Sequence, residues 1–408
     1  MKKNNLLKTL LLSAVVIISS CSSDSGDTDP LTCTLATTPT SYAFTDSDGN
    51  STVYYGGQAS RLGAAEDIYI TLNDDNVYTQ AQLIADFALE KINVKFAENV
   101  EEEYGSGGSR TKIVADLHQL FSDYELASAD FAAATVATPG QAGLLPKNDG
   151  AGADIYELTA DGWEVDQQYA KMLIGALCLE QNAYDYLTKI DLANYNNLDD
   201  STVNRGYDGD QLWGPTYYTK AEHYFDEAYG YVYGLDHHKN GDGYNFAGDL
   251  NDEIENDLFL GKYLHKHDGS GASGNNWRGA AYNAYVLGRQ AIVENCQDVL
   301  DDQITIINTT LSKVVAWHAA DYLSKSADGA LDPNTFSSYN HALSEAWGFV
   351  YSLQFTKMSN GMPLFSHAEV NDMISEMNTT TAWGFKSIAG AERLRQWANQ
   401  INTRLANY

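Results

Sequence analysis

The sequence predicts a mainly α-helical protein that contains a duplicated four-helix unit after a small mixed α/β region. The first observation is a motif that occurs twice, His-x-x-x-Glu-Ala-aromatic-Gly-aromatic-Val-Tyr-x-Leu, at 223–235 and again at 341–353. The two copies align without a gap at an offset of 341 − 223 = 118 residues. The second observation is the helical spacing of the apolar residues around them. Such a repeat indicates that one structural unit occurs twice.

Three more matches extend the repeat in the same order along both halves. Their offsets are 136, 120 and 106, from 319 − 183, 371 − 251 and 383 − 277. The offset changes only between matches, where insertions fall in loops that tolerate them. The matched segments are 183–189 with 319–325, 251–254 with 371–374, and Trp277 and Arg289-Gln290 with Trp383 and Arg395-Gln396. We therefore predict one four-helix unit at about 163–299 and a second at about 301–405.

Proline and glycine positions refine the predicted helices of the repeat. Pro215 and Pro333 lie eight residues before each motif histidine. They suit the first turn of a helix, where the missing N–H carries no cost. Gly230 and Gly348 lie inside the motif helices, where glycine costs about 1 kcal/mol relative to alanine. We therefore expect another backbone to approach both glycines closely, and we expect the two motif helices to pack on each other near a pseudo-twofold axis.

The chain from 41 to 408 is predicted to form a single helical domain, in which 41–162 is the mixed N-terminal region. Two short apolar stretches at 42–44 and 52–55 flank a polar turn, which predicts a small hairpin. Apolar spacing predicts a helix over about 58–72 and a long amphipathic helix over 78–103.

The first twenty residues are predicted to be a lipoprotein signal peptide, 1–20. Lys2, Lys3 and Lys8 precede an apolar segment that is too short for a stable membrane span. The junction Ile18-Ser-Ser-Cys21 resembles a bacterial lipobox, which predicts that Cys21 is lipidated and begins the mature chain. The alternative is an ordinary cleaved signal with a chance cysteine. Polar and acidic residues then predict a disordered tether over 21–40.

Charge and cysteine count exclude some classes of protein. The formal net charge is −30, and removal of a segment with three lysines and no acidic residue gives −30 − 3 = −33. This charge argues against nucleic acid as a partner. Besides Cys21, three cysteines remain, and this odd number predicts no disulfide framework. Cys178 and Cys296 are interpreted as small buried residues, while Cys33 lies in the predicted tether.

The motif offers two interpretations of its polar residues. His and Glu four residues apart face the same side of a helix, so two copies brought together would supply two imidazoles and two carboxylates. Helical bundles build iron and other metal sites in this way. The first hypothesis is therefore an iron or zinc site, and its candidate ligands are His223, Asp226, Glu227, His341 and Glu345. The second is a structural one, in which each glutamate accepts a hydrogen bond from its own histidine or a neighbouring backbone group and fixes the packing.

A set of short segments occurs in a fixed order along nearly all of the mature chain. The segments are 42–44, 48–53, Gly57-Gln58, Arg61-Leu62, 140–145, 175–177, Glu222-His223, 226–231, Gly288-Arg289, Ala291-Ile292 and 343–345. As a set they resemble a Bacteroidota lipoprotein family catalogued as domain of unknown function 4856. This family is similar, more distantly, to the imelysin-like proteins.

The imelysin-like proteins have a duplicated four-helix architecture and a Gly-x-His-x-x-Glu motif. They are associated with iron acquisition, and some were described as metallopeptidases. The matching segment here is Ala221-Glu-His223-Tyr-Phe-Asp226, in which alanine replaces the glycine and aspartate the glutamate.

Two functions follow as expectations. The first is a non-enzymatic lipoprotein of the outer membrane, held by its N-terminal lipid, that binds a metal, a metal chelate or a partner protein of the envelope in uptake. The second is a metal-dependent peptidase of the imelysin type, which would need a metal with an open position and a nearby general base.

Overall fold

The computed structural model of the protein describes residues 33–74, 76–100, 108–146, 155–195, 217–240, 257–332 and 336–408. The predicted signal peptide, Cys21, Pro215, Pro333 and the 251–254 match lie outside these residues. The described part of the chain is mainly helical, as predicted. The helices are α1 Gly56–Thr71, α2 Gln80–Asp86, α3 Ile92–Lys95, α4 Arg110–Ala132, α5 Val165–Leu173, α6 Leu192–Tyr195, α7 Lys220–Asn240, α8 Leu260–His265, α9 Trp277–Val293, α10 Gln297–Gly329, α11 Phe336–Ser352, α12 His367–Gly384 and α13 Ile388–Leu405.

The described residues contain one small two-stranded sheet. The strands β1 Gly143–Pro146 and β2 Ile155–Leu158 pair antiparallel, with Gly143 opposite Leu158. Short 3-10 turns cover Leu89–Lys91 and Leu353–Phe355. No described helix has the length and apolar character that crossing a bilayer requires.

The longest helix, α10, is the centre of the C-terminal half, where it packs against α9, α11 and α13. In the N-terminal half α7 packs on α1, and α11 of the C-terminal half also packs on α5. Buried aromatic side chains fill the space between these helices, because the chain is rich in tyrosine. The ring of Tyr229 on α7 stacks on Tyr42 at 3.7 Å and on Tyr233 at 4.4 Å between centroids. The core therefore ties the N-terminal region to the motif helix.

The helix that begins with α5 continues in a looser form. After Leu173 it makes π-helical turns over Ile174–Leu179 and Gln181–Asp185, and it ends in a 3-10 turn at Tyr186–Thr188. Its side chains are buried on all sides along nearly the whole length. A helix that is surrounded by protein needs no polar face, so its apolar residues are not confined to one stripe.

The two predicted glycine contacts exist, but the partners differ from those expected. A methyl group on Gly230 would meet the Cβ of Tyr55, just before α1, at 2.6 Å. One on Gly348 would meet the Cβ of Lys171 on α5 at 2.5 Å. The motif helices thus approach α1 and α5 at these glycines and not each other. The superposition of the two predicted four-helix units is not tested by these contacts and stays a prediction.

The predicted long helix over 78–103 is wrong. The chain there forms α2, a 3-10 turn and the single turn of α3, because Glu90, Lys91 and Ala97 have positive φ angles of 47°, 60° and 50°. The N–H of Ala97 donates to the carbonyl of Ala176 in the π-helical segment at 2.7 Å. Tertiary contacts with α5 therefore override the local helical pattern.

The structure bears on two other predictions for the N-terminal region. Helix α1 lies where apolar spacing placed it. The polar turn at 46–50 is a tight turn, in which Thr45 and Ser51 form an isolated antiparallel bridge. The carboxylate of Asp46 accepts from the backbone N–H groups of Asp48 and Asn50, which fixes the turn without a ligand.

Cys33 and Cys296 form a disulfide, with Cα atoms 5.6 Å apart, a pairing that the odd cysteine count did not indicate. The bond joins the first described residue to the junction between α9 and α10. The following residues are ordered as well, because the backbone N–H of Ala36 donates to Glu294 at 2.6 Å and that of Cys33 to Asp298 at 2.9 Å. The predicted tether over 21–40 is thus too long at its C-terminal end. Cys178 is free and buried, as interpreted.

We expect loss of this disulfide to lower the free energy of unfolding by about 2–4 kcal/mol, since it closes a long loop in the unfolded chain. Urea unfolding of Cys296→Ser should match that of the wild type in a reducing agent. A wild type whose midpoint is unchanged by the reducing agent would contradict the bond.

Candidate functional site

The first motif copy begins at a capping box. The N–H of Thr219 donates to the carboxylate of Glu222 at 2.7 Å, and the N–H of Glu222 donates to Thr219 Oγ1 at 3.1 Å. These two bonds start α7 at Lys220. They place His223 in its first turn, where Tyr218 stacks on the imidazole with centroids 4.7 Å apart.

His223 and Glu227 lie side by side, with Nε2 and Oε2 3.6 Å apart. This is an ion-pair distance and is too long for a hydrogen bond. The carboxylate instead accepts from the side-chain amide of Gln58 on α1 at 2.9 Å. Burial lowers the pKa of His223, which favours the neutral imidazole. The predicted bond from the histidine to its own glutamate is therefore absent at this copy.

Asp226, the proposed extra ligand, belongs to a buried ion cluster. Its carboxylate accepts from Arg289 Nε on α9 at 3.0 Å, from the Tyr42 hydroxyl at 2.7 Å and from the Tyr54 backbone N–H at 3.1 Å. Arg289 Nη1 also donates to Glu222 at 2.9 Å. The guanidinium is fully buried, and its single charge offsets one of the two carboxylates, while burial raises the pKa of Asp226 to about 7.

The second motif copy has a different environment. His341 on α11 is about a third exposed, with a side-chain exposure of 32%. Its Nδ1 lies 2.7 Å from a carboxylate oxygen of Glu164, the residue before α5, and its Nε2 lies 3.6 Å from Glu345. Tyr156 of β2 stacks on the ring at 5.1 Å. An accessible imidazole is thus held between two buried carboxylates.

Glu345 is neutralised by a buried lysine. Lys171 on α5 places its ammonium 3.1 Å from the carboxylate, and the side chains are only 2% and 7% exposed. The hydroxyl of Tyr263 on α8 donates to the same oxygen at 2.8 Å. Burial acts to raise the pKa of Glu345, but Lys171, His341 and the hydrogen bonds outweigh it and lower this pKa to about 2. Glu345 is therefore a carboxylate at every ordinary pH.

The pKa of Glu164 shifts in the opposite direction from that of Glu345. Burial raises its pKa to about 7, against the hydrogen bond from His341, which lowers it. The pKa of His341 is raised, since its bond to Glu164 outweighs the effect of burial. The two carboxylates around this imidazole therefore titrate in different pH ranges, Glu345 at a pKa of about 2 and Glu164 at a pKa of about 7.

These contacts do not fit the predicted metal site. The contacts of His223, Asp226 and Glu227 described above come from 42–58, 218 and 289. Those of His341 and Glu345 come from 156–171, 263 and 322. Arg289 and Lys171 already supply the positive charge beside Asp226 and Glu345. Within the described ranges, no group of three or more His, Cys, Asp or Glu residues has the geometry of a metal site. No step of chemistry through iron or zinc follows from this arrangement.

Several residues of these clusters were not among the predicted site residues, although the sequence held a partial signal for one of them. Arg289 was noticed as part of a repeat match and of the family resemblance. Glu164 and Lys171 lie outside the motif, at and near the start of α5, and only the packing of α11 on α5 brings them to His341 and Glu345.

The sequence model of a family described as Domain of unknown function (DUF4856) matches residues 39–406. The chain belongs to this family. A search of curated proteins and a search of solved structures gave no match.

We expect Glu345→Ala to be more destabilising than Glu227→Ala. The first change leaves the buried ammonium of Lys171 unpaired and should cost about 3–5 kcal/mol. The second removes the shorter bond of the buried Gln58 amide, which keeps its 3.4 Å bond to the Tyr186 hydroxyl, and should cost about 1–3 kcal/mol. Urea unfolding measures both losses. The control is Glu376→Ala, which removes an exposed pair with Arg393 and should change the free energy of unfolding by no more than about 0.5 kcal/mol. Equal losses, or a wild type that a chelator destabilises, would contradict the arrangement.

Glu164 should make stability depend on pH. Its folded pKa of about 7 exceeds the ordinary value of 4.5, so its contribution is complete below about pH 4.5 and is lost as pH rises to about 7. Glu164→Gln mimics the protonated acid and cannot lose a proton. The unfolding free energy of the wild type minus that of Glu164→Gln should therefore fall by roughly 3 kcal/mol over this range. Urea titrations at a series of pH values test this, and a difference that does not change with pH would exclude it.

Proposed function

We propose that the protein is an envelope-anchored lipoprotein that acts by binding and not by catalysis. The disulfide between Cys33 and Cys296 is the observation that carries the location. Disulfides persist in oxidising compartments and are rare in the cytosol. The bond begins twelve residues after Cys21, the cysteine of the lipobox-like junction. An exported chain with a lipid on Cys21 accounts for both features, and its high negative charge suits an extracytoplasmic protein.

The binding role is supported by the use that the chain makes of its motif residues. Asp226 is saturated by Arg289, Tyr42 and Tyr54, and Glu345 by Lys171 and Tyr263. Groups with these partners hold helices together. A general base or a ligand in an uptake site would need a free lone pair directed at a substrate or metal.

One observation favours the alternative, a metal-dependent peptidase of the imelysin type. His341 is partly exposed and sits beside Glu164, whose raised pKa gives it the proton affinity of a general acid or base near neutral pH. Such a peptidase would also need a metal with an open coordination position. If this alternative holds, purified protein should cleave a casein substrate and lose that activity in Glu164→Gln.

We expect Cys21→Ala to move the protein from the membrane fraction to the soluble fraction of cells. The physical reason is that the acyl chains on Cys21 are the proposed membrane anchor, and stable anchoring needs more than one chain. Immunoblotting of fractionated cells measures this, and Cys178→Ala is the matched control that should stay with the membrane. An unprocessed signal peptide is distinguished by its larger mass. Retention of a processed Cys21→Ala chain in the membrane would exclude lipid anchoring.

A further inference from the structure

A cleft on the described surface has no role in the motif clusters. It lies between α4, the start of α5, α11 and α12, and it has a volume of about 250 Å³. Its polar lining combines three carboxylates with three side-chain amides, and its aromatic lining consists of two indoles. These residues are Asp116, Asp123, Asp161, Gln119, Gln168, Asn378, Trp163 and Trp347.

The cleft continues into a second depression of about 150 Å³ between α4 and the β-strands. The two share Asp123, Asp161 and Trp163, so they are lobes of one groove. At about 30 Å³ for each water, the lobes hold about eight and about five water molecules. Each lobe thus has the scale of a single small ring and is too small for a folded segment of a partner protein.

Two side chains of the groove are buried but lack partners. Gln168 on α5 is 3% exposed and Trp163 is 6% exposed, and both line the larger lobe. Within the described residues, neither the amide of Gln168 nor the indole N–H of Trp163 makes a hydrogen bond. Neither polar group is among the fully enclosed unbonded atoms of the described residues, so both face the open space of the groove. A ligand in the groove would provide their partners.

The fold holds the other groups of the groove in place. Asp116, Gln119 and Asp123 lie on one face of α4, and the amide of Gln119 donates to Asp123 at 2.9 Å. The Tyr351 hydroxyl donates to Asp116 at 2.7 Å, and the indole N–H of Trp347 donates to Asn378 at 2.8 Å. These bonds orient acceptors and amide donors toward one space before any ligand arrives.

Gly162 positions Asp161 and Trp163, the two remaining groups of the groove. Its φ of +86° is a conformation that side chains rarely adopt, and a Cβ there would meet Asn340 and Trp383 at 2.8 Å. The turn at this glycine sets Asp161 and Trp163 on either side of it, at the meeting point of the two lobes.

From this arrangement we propose that the groove binds a neutral carbohydrate chain of at least two sugar rings. This inference rests on the proposed binding function and names its ligand class. A sugar hydroxyl both donates and accepts hydrogen bonds, so it satisfies the carboxylates, the amides and the indole N–H together. A metal ion or a protonated amine could bind the carboxylates but would leave the N–H donors of Trp163 and Gln168 without an acceptor. The indoles add apolar surface for the C–H faces of a ring.

The test uses the full-length lipoprotein, purified in a detergent without a sugar headgroup. Titration calorimetry should be run with maltose, cellobiose, xylobiose, mannobiose and chitobiose, and with spermidine and calcium chloride as cationic probes. We expect at least one disaccharide to bind with one-to-one stoichiometry and neither cationic probe to bind in the groove. Binding of a cationic probe that Asp161→Asn abolishes, or no binding by any of the disaccharides, would overturn the carbohydrate proposal.

Three variants locate the binding. Gln168→Leu and Trp163→Phe remove the unpartnered groups and should each weaken the disaccharide by about tenfold or more, because a hydroxyl then loses its partner in the site. Asp161→Asn changes an exposed residue and keeps the experiment decisive if a buried change prevents folding. Gln303→Leu on α10, which does not line the groove, is the matched control and should bind as the wild type does. Equal binding by the wild type and all three groove variants would show that the sugar binds elsewhere.

The two proposals fail in different ways. If a disaccharide binds in the groove and is then hydrolysed, as chromatography of the products would show, the non-catalytic function is wrong and the ligand class stands. If no disaccharide binds but the chain remains lipid-anchored and inactive on casein, only the ligand class is wrong.

Discussion

The buried guanidinium of Arg289 is the contact on which the N-terminal half of the structure depends. It joins α9 to two carboxylates of α7, and its Nη2 donates to both the carbonyl and the hydroxyl of Thr52 at 3.1 and 3.0 Å. The ring of Phe44 lies 4.9 Å from the same group. One side chain therefore fixes the N-terminal region, the motif helix and α9 to each other. A buried charge of this kind stabilises only when all its partners are present, so it defines one arrangement of these three segments.

The two motif copies show how similar sequences acquire different surroundings. His223 is buried and stacks on Tyr218, whereas His341 reaches solvent and contacts Glu164. Nothing within the thirteen residues of either copy determines this difference. It arises because α7 packs on α1, while α11 packs on the start of α5. The repeat thus sets the geometry of the helix, and the neighbouring segments set its chemistry.

Much of the fold could be predicted from periodicity and glycine. Helix α1, both motif helices and the close approach at Gly230 and Gly348 follow from local spacing and size. The break in the helix predicted over 78–103 does not, because its cause is a hydrogen bond between Ala97 and Ala176, which are distant in sequence. The pairing of Cys33 with Cys296 spans 263 residues and has no local signal either.

The candidate site was less predictable, for the same physical reason. The pattern of the motif correctly identified polar residues that share a helical face. It held no information on which cation would face them, since Lys171 and Arg289 arrive from other helices. The groove was not predicted at all, because its eight polar and aromatic residues come from four separate segments.

Lys171 and Arg289 have a consequence for how the protein meets its surroundings. In many helical bundles the positive charge at the centre is a metal ion taken from outside, and folding then follows the supply of that metal. Here the counterions are covalent parts of the chain and arrive with every copy that is synthesised. A protein exposed outside the cytoplasm meets changing concentrations of free metals and of chelators. If the protein is exported as proposed, its internal counterions make these two ion clusters independent of that competition.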